Sequence, residues 1–283
     1  MPGAAIFEQA GPGVRRLLAN NPSPFTFTGT QTYVVGRGEV AVIDPGPDEG
    51  GHVEALLEAL GDERVSAILC THTHRDHSPA SRPLAAATGA PIIGCAPLAI
   101  ADDGPRADAS FDFEYEPDLI LADGGRVAGD DWTLEAVATP GHTSNHLCFA
   151  LIEAGAMFTG DHVMGWSTTI VSPPDGDMAA YMASLEMLLT RGDRVYYPTH
   201  GPAIADPKAH VQALIDHRRT REAQIVAQLA AGEGSIARMV AKLYRDIDPL
   251  LHPAAGRSVL AHLLDLQSRG RVALDGDLWR LAA

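Results

Sequence analysis

Cysteine is scarce in this 283-residue chain: there are three, Cys70, Cys95 and Cys148. They are widely spaced and sit in apolar surroundings such as Ala67-Ile68-Leu69-Cys70. No disulfide framework or cysteine-rich zinc site follows from them, and small buried residues are expected. Aromatic residues are only 6% against 46% hydrophobic overall, so the core is expected to be built from Ala, Val, Leu and Ile. Basic residues are also few, 21 Lys and Arg against 36 Asp and Glu, for a net charge of −15. The deficit is uneven: residues 1–209 hold 11 basic and 28 acidic side chains, residues 210–283 hold 10 and 8. An acidic body argues against strong non-specific phosphate binding, and leaves nucleic acid only a local patch in which Arg is the main cation. No apolar run is long enough to span a bilayer. The opening, Met1-Pro-Gly-Ala-Ala-Ile-Phe-Glu8, is too short and polar for a signal peptide. The expectation is a cytoplasmic protein with no membrane partner.

Glycine and proline are plentiful, 28 and 20, which fits a fold with many turns. The length allows one large domain plus a small one, or a single large α/β domain. Short apolar segments bounded by turn residues fill the first two-thirds. Thr32–Val35 and Glu39–Ile43 flank Gly36-Arg37-Gly38 and predict a hairpin. Asp48–Leu60 has helical spacing and stops at Gly61; Val65–Cys70 is a buried strand; Ala80–Thr88 is a helix ended by Gly89. Strands are expected at Pro91–Gly94, Thr133–Ala138, His146–Ile152, Ala156–Thr159 and Arg194–Tyr197, with a helix over Met178–Leu189. The character changes near Asp206. One long helix is predicted from Pro207 to Ala231, then shorter helices over Ser235–Arg245 and Pro253–Arg269, then a polar hairpin from Arg271 to Leu281. Helix, helix and terminal β-wing outline a winged-helix module. The expected division is therefore 1–205 and 206–283.

The chemistry lies in loops that follow strands. Val65–Cys70 runs into Thr71-His72-Thr73-His74-Arg75-Asp76-His77, four candidate ligands in six residues. His72 and His74 can face one metal ion, while Asp76 and His77, past the turn, can face a second. Three more strands end in a candidate: Ala136–Gly141 delivers His142, Met157–Gly160 delivers Asp161, and Val195–Thr199 delivers His200. Imidazole and carboxylate donors suit zinc, and the absence of thiolate points to a catalytic site.

His72-x-His74-x-Asp76-His77, followed in order by His142, Asp161 and His200, resembles the metallo-β-lactamase-fold superfamily. Val42-Ile43-Asp44-Pro45-Gly46 also matches, Asp44 standing for the family's early aspartate. The resemblance implies an α/β fold, an αββα sandwich with a dinuclear site at the sheet edges. It also implies roles: His72, His74 and His142 on the first zinc, Asp76, His77 and His200 on the second, Asp161 bridging, and Asp44 orienting ligands by hydrogen bonds. Asn21–Tyr33, Thr139-Pro-Gly-His-Thr143 and His217-Arg-Arg-Thr-Arg-Glu-Ala-Gln-Ile225 resemble the β-lactamase-like protein 2 group more closely. That group carries a C-terminal winged-helix-like domain. Its animal member is a single-strand-specific endoribonuclease, and related fungal enzymes are thioesterases acting on carrier-bound polyketides.

The expected cofactor is a pair of Zn²⁺ ions, with Mn²⁺ or Fe²⁺ as alternatives in either position, supplying a bridging hydroxide near neutral pH. Asp76 would bind metal and also orient the nucleophile or accept its proton. His146 and His162, beside ligands, read as structural residues; His52, His210, His217, His252 and His262 read as surface or packing residues. Trp166, Thr168 and Thr169 follow Asp161 and are candidates for the pocket wall, with loop packing an equal alternative. Arg218, Arg219 and Arg221 read as a solvated face or structural ion pairs rather than a phosphate site. The leading function is hydrolysis of a small ester, thioester or lactone, so a small-molecule acyl partner is expected ahead of RNA. Cleavage of single-stranded RNA is the alternative, and a non-catalytic nucleic-acid-binding regulator a third. A homodimer is left open.

Overall fold

The structure is a computed structural model and describes residues 6–49, 51–98 and 111–282; Met1–Ala5 of the opening segment thus lie outside the described residues. Two sheets form the centre. The first holds seven strands in sequence order: β1 (Glu8–Gly11), β2 (Val14–Leu18), β3 (Gln31–Arg37), β4 (Glu39–Ile43), β5 (Arg64–Cys70), β6 (Ile92–Gly94) and β7 (Leu119–Ile120). Pairs β1 to β4 are antiparallel and pairs β4 to β7 parallel. The second sheet comprises β8 (Arg126–Ala128), β9 (Thr133–Ala138), β10 (Leu147–Leu151), β11 (Ala156–Gly160) and β12 (Val195–Pro198), in the order β12-β11-β10-β9-β8.

Alternation along each strand builds three layers of core, because successive side chains point to opposite faces. In β4, Ala41 and Ile43 face the space between the sheets, while Val40 and Val42 face helices α1 (His52–Leu60) and α2 (Ser81–Thr88). In β10, Leu147, Phe149 and Leu151 enter the inter-sheet core, and Cys148 and Ala150 face α3 (Met178–Leu189). Helix, sheet, sheet, helix is the αββα order. The three cysteines are buried and free. Helix α1 begins at His52 rather than Asp48, directly after Gly51 in a left-handed conformation (φ 76°).

Helix α4 (Pro207–Ala230) starts where Asp206 accepts the Ala209 backbone N–H at 3.1 Å and Pro207 fills the first turn. Its first half packs Val211, Leu214 and Ile215 against α3 and the second sheet. Its second half gives Ile225 and Leu229 to a separate core with α5 (Ile236–Leu243), α6 (His252–Ser268) and the hairpin β13 (Val272–Asp275) and β14 (Leu278–Leu281). That is the winged-helix outline. A 3₁₀ turn at Pro249–Leu251 joins α5 to α6.

Candidate metal centre

Strands β4, β5, β9, β11 and β12 all end at one edge of the sandwich, and each continues into a polar residue there. β4 runs into Asp44, β5 into Thr71–His77, β9 into the Thr139–His142 turn, β11 into Asp161 and β12 into Thr199-His200. Backbone hydrogen bonds join these loops: Leu147 N to Thr71 O (2.8 Å), Thr199 N to Gly160 O (3.3 Å) and Gly165 N to His200 O (3.0 Å).

The loops bring seven candidate donors into two adjoining sets, His72, His74, His142 and Asp161 in one, Asp76, His77 and His200 in the other. Within each set the donor atoms lie within 4.8 Å of one another. His74 Nδ1 stands 2.9 Å from His72 Nε2 and 3.1 Å from His142 Nε2. A tetrahedral ion holding nitrogens at about 2.0–2.1 Å spaces them roughly 3.3 Å apart, so the three rings are nearly at ligand spacing. Asp161 faces both sets. Its Oδ2 is 3.8 Å from His142 Nε2, while its Oδ1 is 3.4 Å from His200 Nε2 and 3.6 Å from His77 Nε2. Asp76 Oδ2 lies 3.1 Å from His200 Nε2 and 3.5 Å from His77 Nε2.

Hydrogen bonds at the outer ring nitrogens aim the inner ones at the cluster. His142 Nδ1 donates to Ile170 O (2.7 Å), His200 Nδ1 to Gly29 O (3.2 Å), and His77 Nδ1 to Asp44 Oδ2 (3.0 Å). His72 Nδ1 meets Thr71 Oγ1 at 3.0 Å, and that hydroxyl's own proton goes to Asp44 Oδ2 at 2.9 Å. Each of these contacts turns the ring's Nε2 toward the cluster, the atom through which a neutral imidazole ligates metal. Buried His77 Nε2, Asp76 Oδ1 and Asp161 Oδ1 have no hydrogen-bond partner within the described chain. Buried polar atoms are rarely left so; the donor set fits divalent metal ions.

Asp44 is the hub behind the candidate ligands. Its buried carboxylate (1% exposed) also accepts Thr71 N at 2.8 Å and Thr199 Oγ1 at 2.9 Å, tying the β5 and β12 loops together. It adopts a left-handed φ of 46° to do so. His146 acts similarly: its Nδ1 meets Thr139 Oγ1 at 2.8 Å, and its Nε2 accepts the Asp161 backbone N–H at 3.2 Å. His162 is packed against the Tyr181 ring, with centroids 4.7 Å apart.

Burial pushes His72 and His74 well below the ordinary histidine range, and neighbouring imidazoles push the same way, His77 foremost at His72 and His142 at His74. At Asp76 burial favours the neutral form, but His77 and His200 outweigh it and hold the carboxyl well below its usual range. Asp161 is held low against burial by His200 and His77. Burial likewise opposes a charge on His77, where Asp76, Asp161 and Asp44 prevail and raise its pKa well above normal. The carboxylates are thus anionic, as cation binding requires.

The mouth of the centre is a cavity of about 30 Å³ walled by Phe25, Met164, Thr169 and Ile170 as well as the candidate ligands. Trp166, Thr168 and Thr169 line the adjoining space, together with Tyr244, Arg218 and Arg221. The arginine run divides. Arg219 forms the expected surface pair with Glu186 (2.9 Å), whereas Arg218 is only 3% exposed and is not solvated. Arg221 lies over the Tyr244 ring, 4.1 Å from its centroid. Sequence reasoning could not find Phe25, Met164 or Tyr244, which are ordinary apolar residues in remote segments.

A sandwich of this order with a histidine- and aspartate-rich edge defines a class of metal-dependent hydrolases. The model of the metallo-beta-lactamase superfamily matches residues 25–200, and the beta-lactamase associated winged helix domain matches residues 235–279. The chain belongs to the metallo-beta-lactamase superfamily. It is similar to the lactamase-like protein adaB of Aspergillus niger, 35% identical over 85% of this chain and 70% of that one. An atrochrysone carboxyl ACP thioesterase of Aspergillus fumigatus is also 35% identical, over 77% of this chain and 65% of its own length. Among solved structures, a beta-lactamase domain protein from Burkholderia ambifaria superposes with a TM-score of 0.81 at 22% identity, covering 100% of this chain and 94% of that one.

Proposed function

We propose that this hydrolase is a dinuclear enzyme, binding two Zn²⁺ ions, that cleaves small esters, thioesters or lactones. The observation that carries the two-ion reading is Asp161, whose two oxygens face separate donor sets. His72, His74 and His142 would hold one ion and Asp76, His77 and His200 the other, with Mn²⁺ or Fe²⁺ acceptable to the same nitrogen and oxygen donors. When bound, such a pair supplies Lewis acidity and a water ionisable near neutral pH.

The chain's own residues supply the rest. Asp76 stands at the mouth with one oxygen against His200 and the other unpartnered, placed to orient the attacking water or take its proton. Phe25, Met164 and Ile170 keep bulk water from the reacting carbonyl. Support for an acyl substrate comes from those apolar walls and from the name of the thioesterase relative. RNA would need a phosphate-binding track, against a net charge of −15. No described helix is long and apolar enough to cross a membrane; the compartment we propose, the cytoplasm, rests on the sequence reading alone.

The test pairs metal analysis with turnover of thioester, lactone and labelled RNA substrates. Two ions per chain are expected, and chelator should abolish thioester hydrolysis, restored by Zn²⁺ or Mn²⁺. The double variant Asp76→Ala, His77→Ala should lose at least about a thousandfold in kcat, as removal of a metal and its nucleophile implies. Full activity in that variant would sink the mechanism. RNA cleavage lost in it, with no acyl turnover by the native enzyme, would replace the substrate class.

A further inference from the structure

A second cavity, of about 290 Å³, lies between the sandwich and the C-terminal module. It shares Phe25, Met164, Thr169 and Ile170 with the metal mouth, so the two spaces adjoin. Its volume is at the small end of the roughly 300–1,000 Å³ seen for ligand pockets. Its walls are apolar on both flanks, Trp166 and Ile170 from the sandwich, Tyr244, Ile247 and Leu251 from the module.

Two arginines interrupt that lining. Arg218 and Arg221 are three residues apart on α4 and so share a face. Arg218 donates to Thr169 O and lies 5.1 Å from the Tyr181 ring centroid. Arg221 donates to Leu243 O (3.0 Å) and Gln224 Oε1 (2.8 Å). The Nε of each is buried without a hydrogen bond, as is Nδ1 of His217 beside them. Among the described residues neither arginine has a carboxylate partner, unlike their neighbour Arg219, paired with Glu186. Neutral acceptors offset only part of the cost of burying a guanidinium, and arginine cannot shed its proton. His217 reports the same positive field: burial lowers its pKa, and Arg218 and Arg221 lower it further. An anionic group is the partner whose chemistry suits such a pair.

We propose that this cavity is the acyl pocket and that Arg218 and Arg221 bind an ionised carboxylate on the acyl group, away from the carbonyl that reacts. The preferred substrates would be thioesters or esters of medium-length dicarboxylic acids. The proposal rests on the hydrolase reading of the metal centre. Thr169 links the two sites, since its carbonyl accepts from Arg218 and its hydroxyl lies 3.2 Å from His142 Nδ1. Guanidinium forks recognise carboxylate and phosphate alike, so the test must separate them.

N-acetylcysteamine thioesters of octanoic acid, of suberic acid, of suberic acid monomethyl ester and of a phosphonate-ended counterpart supply the matched series. The free suberyl thioester should exceed the octanoyl and methyl-ester forms by at least about tenfold in kcat/KM, as expected of a charge-assisted contact. Arg221→Gln should bring that ratio near one by raising KM for the charged substrate, and Arg221→Lys should restore part of it; a merely structural role would depress all substrates together. Calorimetric binding of suberate against octanoate to the metal-loaded enzyme gives a readout independent of turnover, again about tenfold and lost in Arg221→Gln. Equal affinities, or a difference that persists in the variant, would overturn the anion site. A preference for the phosphonate would overturn the carboxylate assignment, and displacement of suberate by short single-stranded RNA through Arg221 would overturn the acyl pocket. Arginine-dependent binding without hydrolysis of any thioester would sink the reading of the metal centre and leave this site standing; equal hydrolysis of all four would do the reverse.

Discussion

Several buried groups in this molecule act by what they hold. Asp44 lines neither cavity at the site, yet it takes hydrogen bonds from Thr71, Thr199 and His77 and so registers two loops of candidate ligands against each other. His262 on α6 is the opposite kind of buried group: it is 1% exposed and neither ring nitrogen has a hydrogen-bond partner. Burial lowers its pKa to about 3, and Arg218, Arg221, His217 and Arg269 add to the effect. The folded protein therefore holds this ring neutral where the unfolded chain, with a pKa near 6.5, takes a proton. Its contribution is fully present above pH 6.5 and is lost as pH falls toward 3, at about 1.4 kcal/mol per pH unit. Urea unfolding between pH 5 and 8 should show stability falling on the acid side of 6.5, and His262→Leu should flatten that slope by about one proton. An unchanged slope would assign the acid sensitivity to other groups.

Elements assemble the candidate metal centre only where the backbone can make tight approaches. Between β9 and His142 the chain turns through Gly141, whose φ is 139° and whose carbonyl accepts the Asp177 N–H at the start of α3. A Cβ there would stand 2.3 Å from Tyr181 Cα and 2.4 Å from its N, both backbone atoms. Gly141→Ala should cost roughly 2–4 kcal/mol through strain and overpacking and lower metal content by displacing His142. Gly38, φ 71° with nothing within 4 Å of an added Cβ, is the control; Gly38→Ala should cost about 1 kcal/mol with metal content intact. Thermal unfolding and metal analysis of both variants decide it, and equal losses would count against the Tyr181 contact. The same elements show why the sequence was readable where it was. β5 and β10 are buried on both faces, so their apolar runs stand out, and the candidate ligands follow strand ends in chain order. The hairpin β1–β2 carries no such signal, because β2, next to the edge strand β1, keeps Arg15 and Arg16 paired with Glu63 and Glu8. β7 and β8, of two and three residues, are too short to show alternation. The interdomain cavity was legible only at Trp166, Thr168 and Thr169, for a different reason. Its walls come from residues 24–25, 164–170, 217–221 and 244–258, which only the folded chain assembles.

At the scale of the molecule, the change in sequence character near residue 205 and the division of the core do not fall together. α4 serves the sandwich with its first half and the winged helix with its second. Val211, Leu214 and Ile215 are 1%, 6% and 1% exposed, covering α3 and the second sheet. Each such side chain contributes roughly 1.5–3 kcal/mol by burial, so the three together rival the whole stability of a typical domain, about 5–15 kcal/mol. A chain cut after Asp206 should therefore leave the sandwich with an uncovered apolar face and be recovered aggregated or unfolded. A chain cut after Gly232 keeps all of α4 and loses only the winged helix, whose contact with the sandwich elsewhere includes Arg257 bonded to Ser172 Oγ and Pro173 O. That longer piece should stay folded, bind its metal ions, and lose the preference for charged acyl groups, because Tyr244, Ile247 and Leu251 no longer close the cavity. Sedimentation, far-ultraviolet circular dichroism and metal content of the two truncations would check this. A well-folded 1–206 fragment would show that the sandwich completes its core without α4, and an unfolded 1–232 fragment that the winged helix is an integral part of the enzyme's fold.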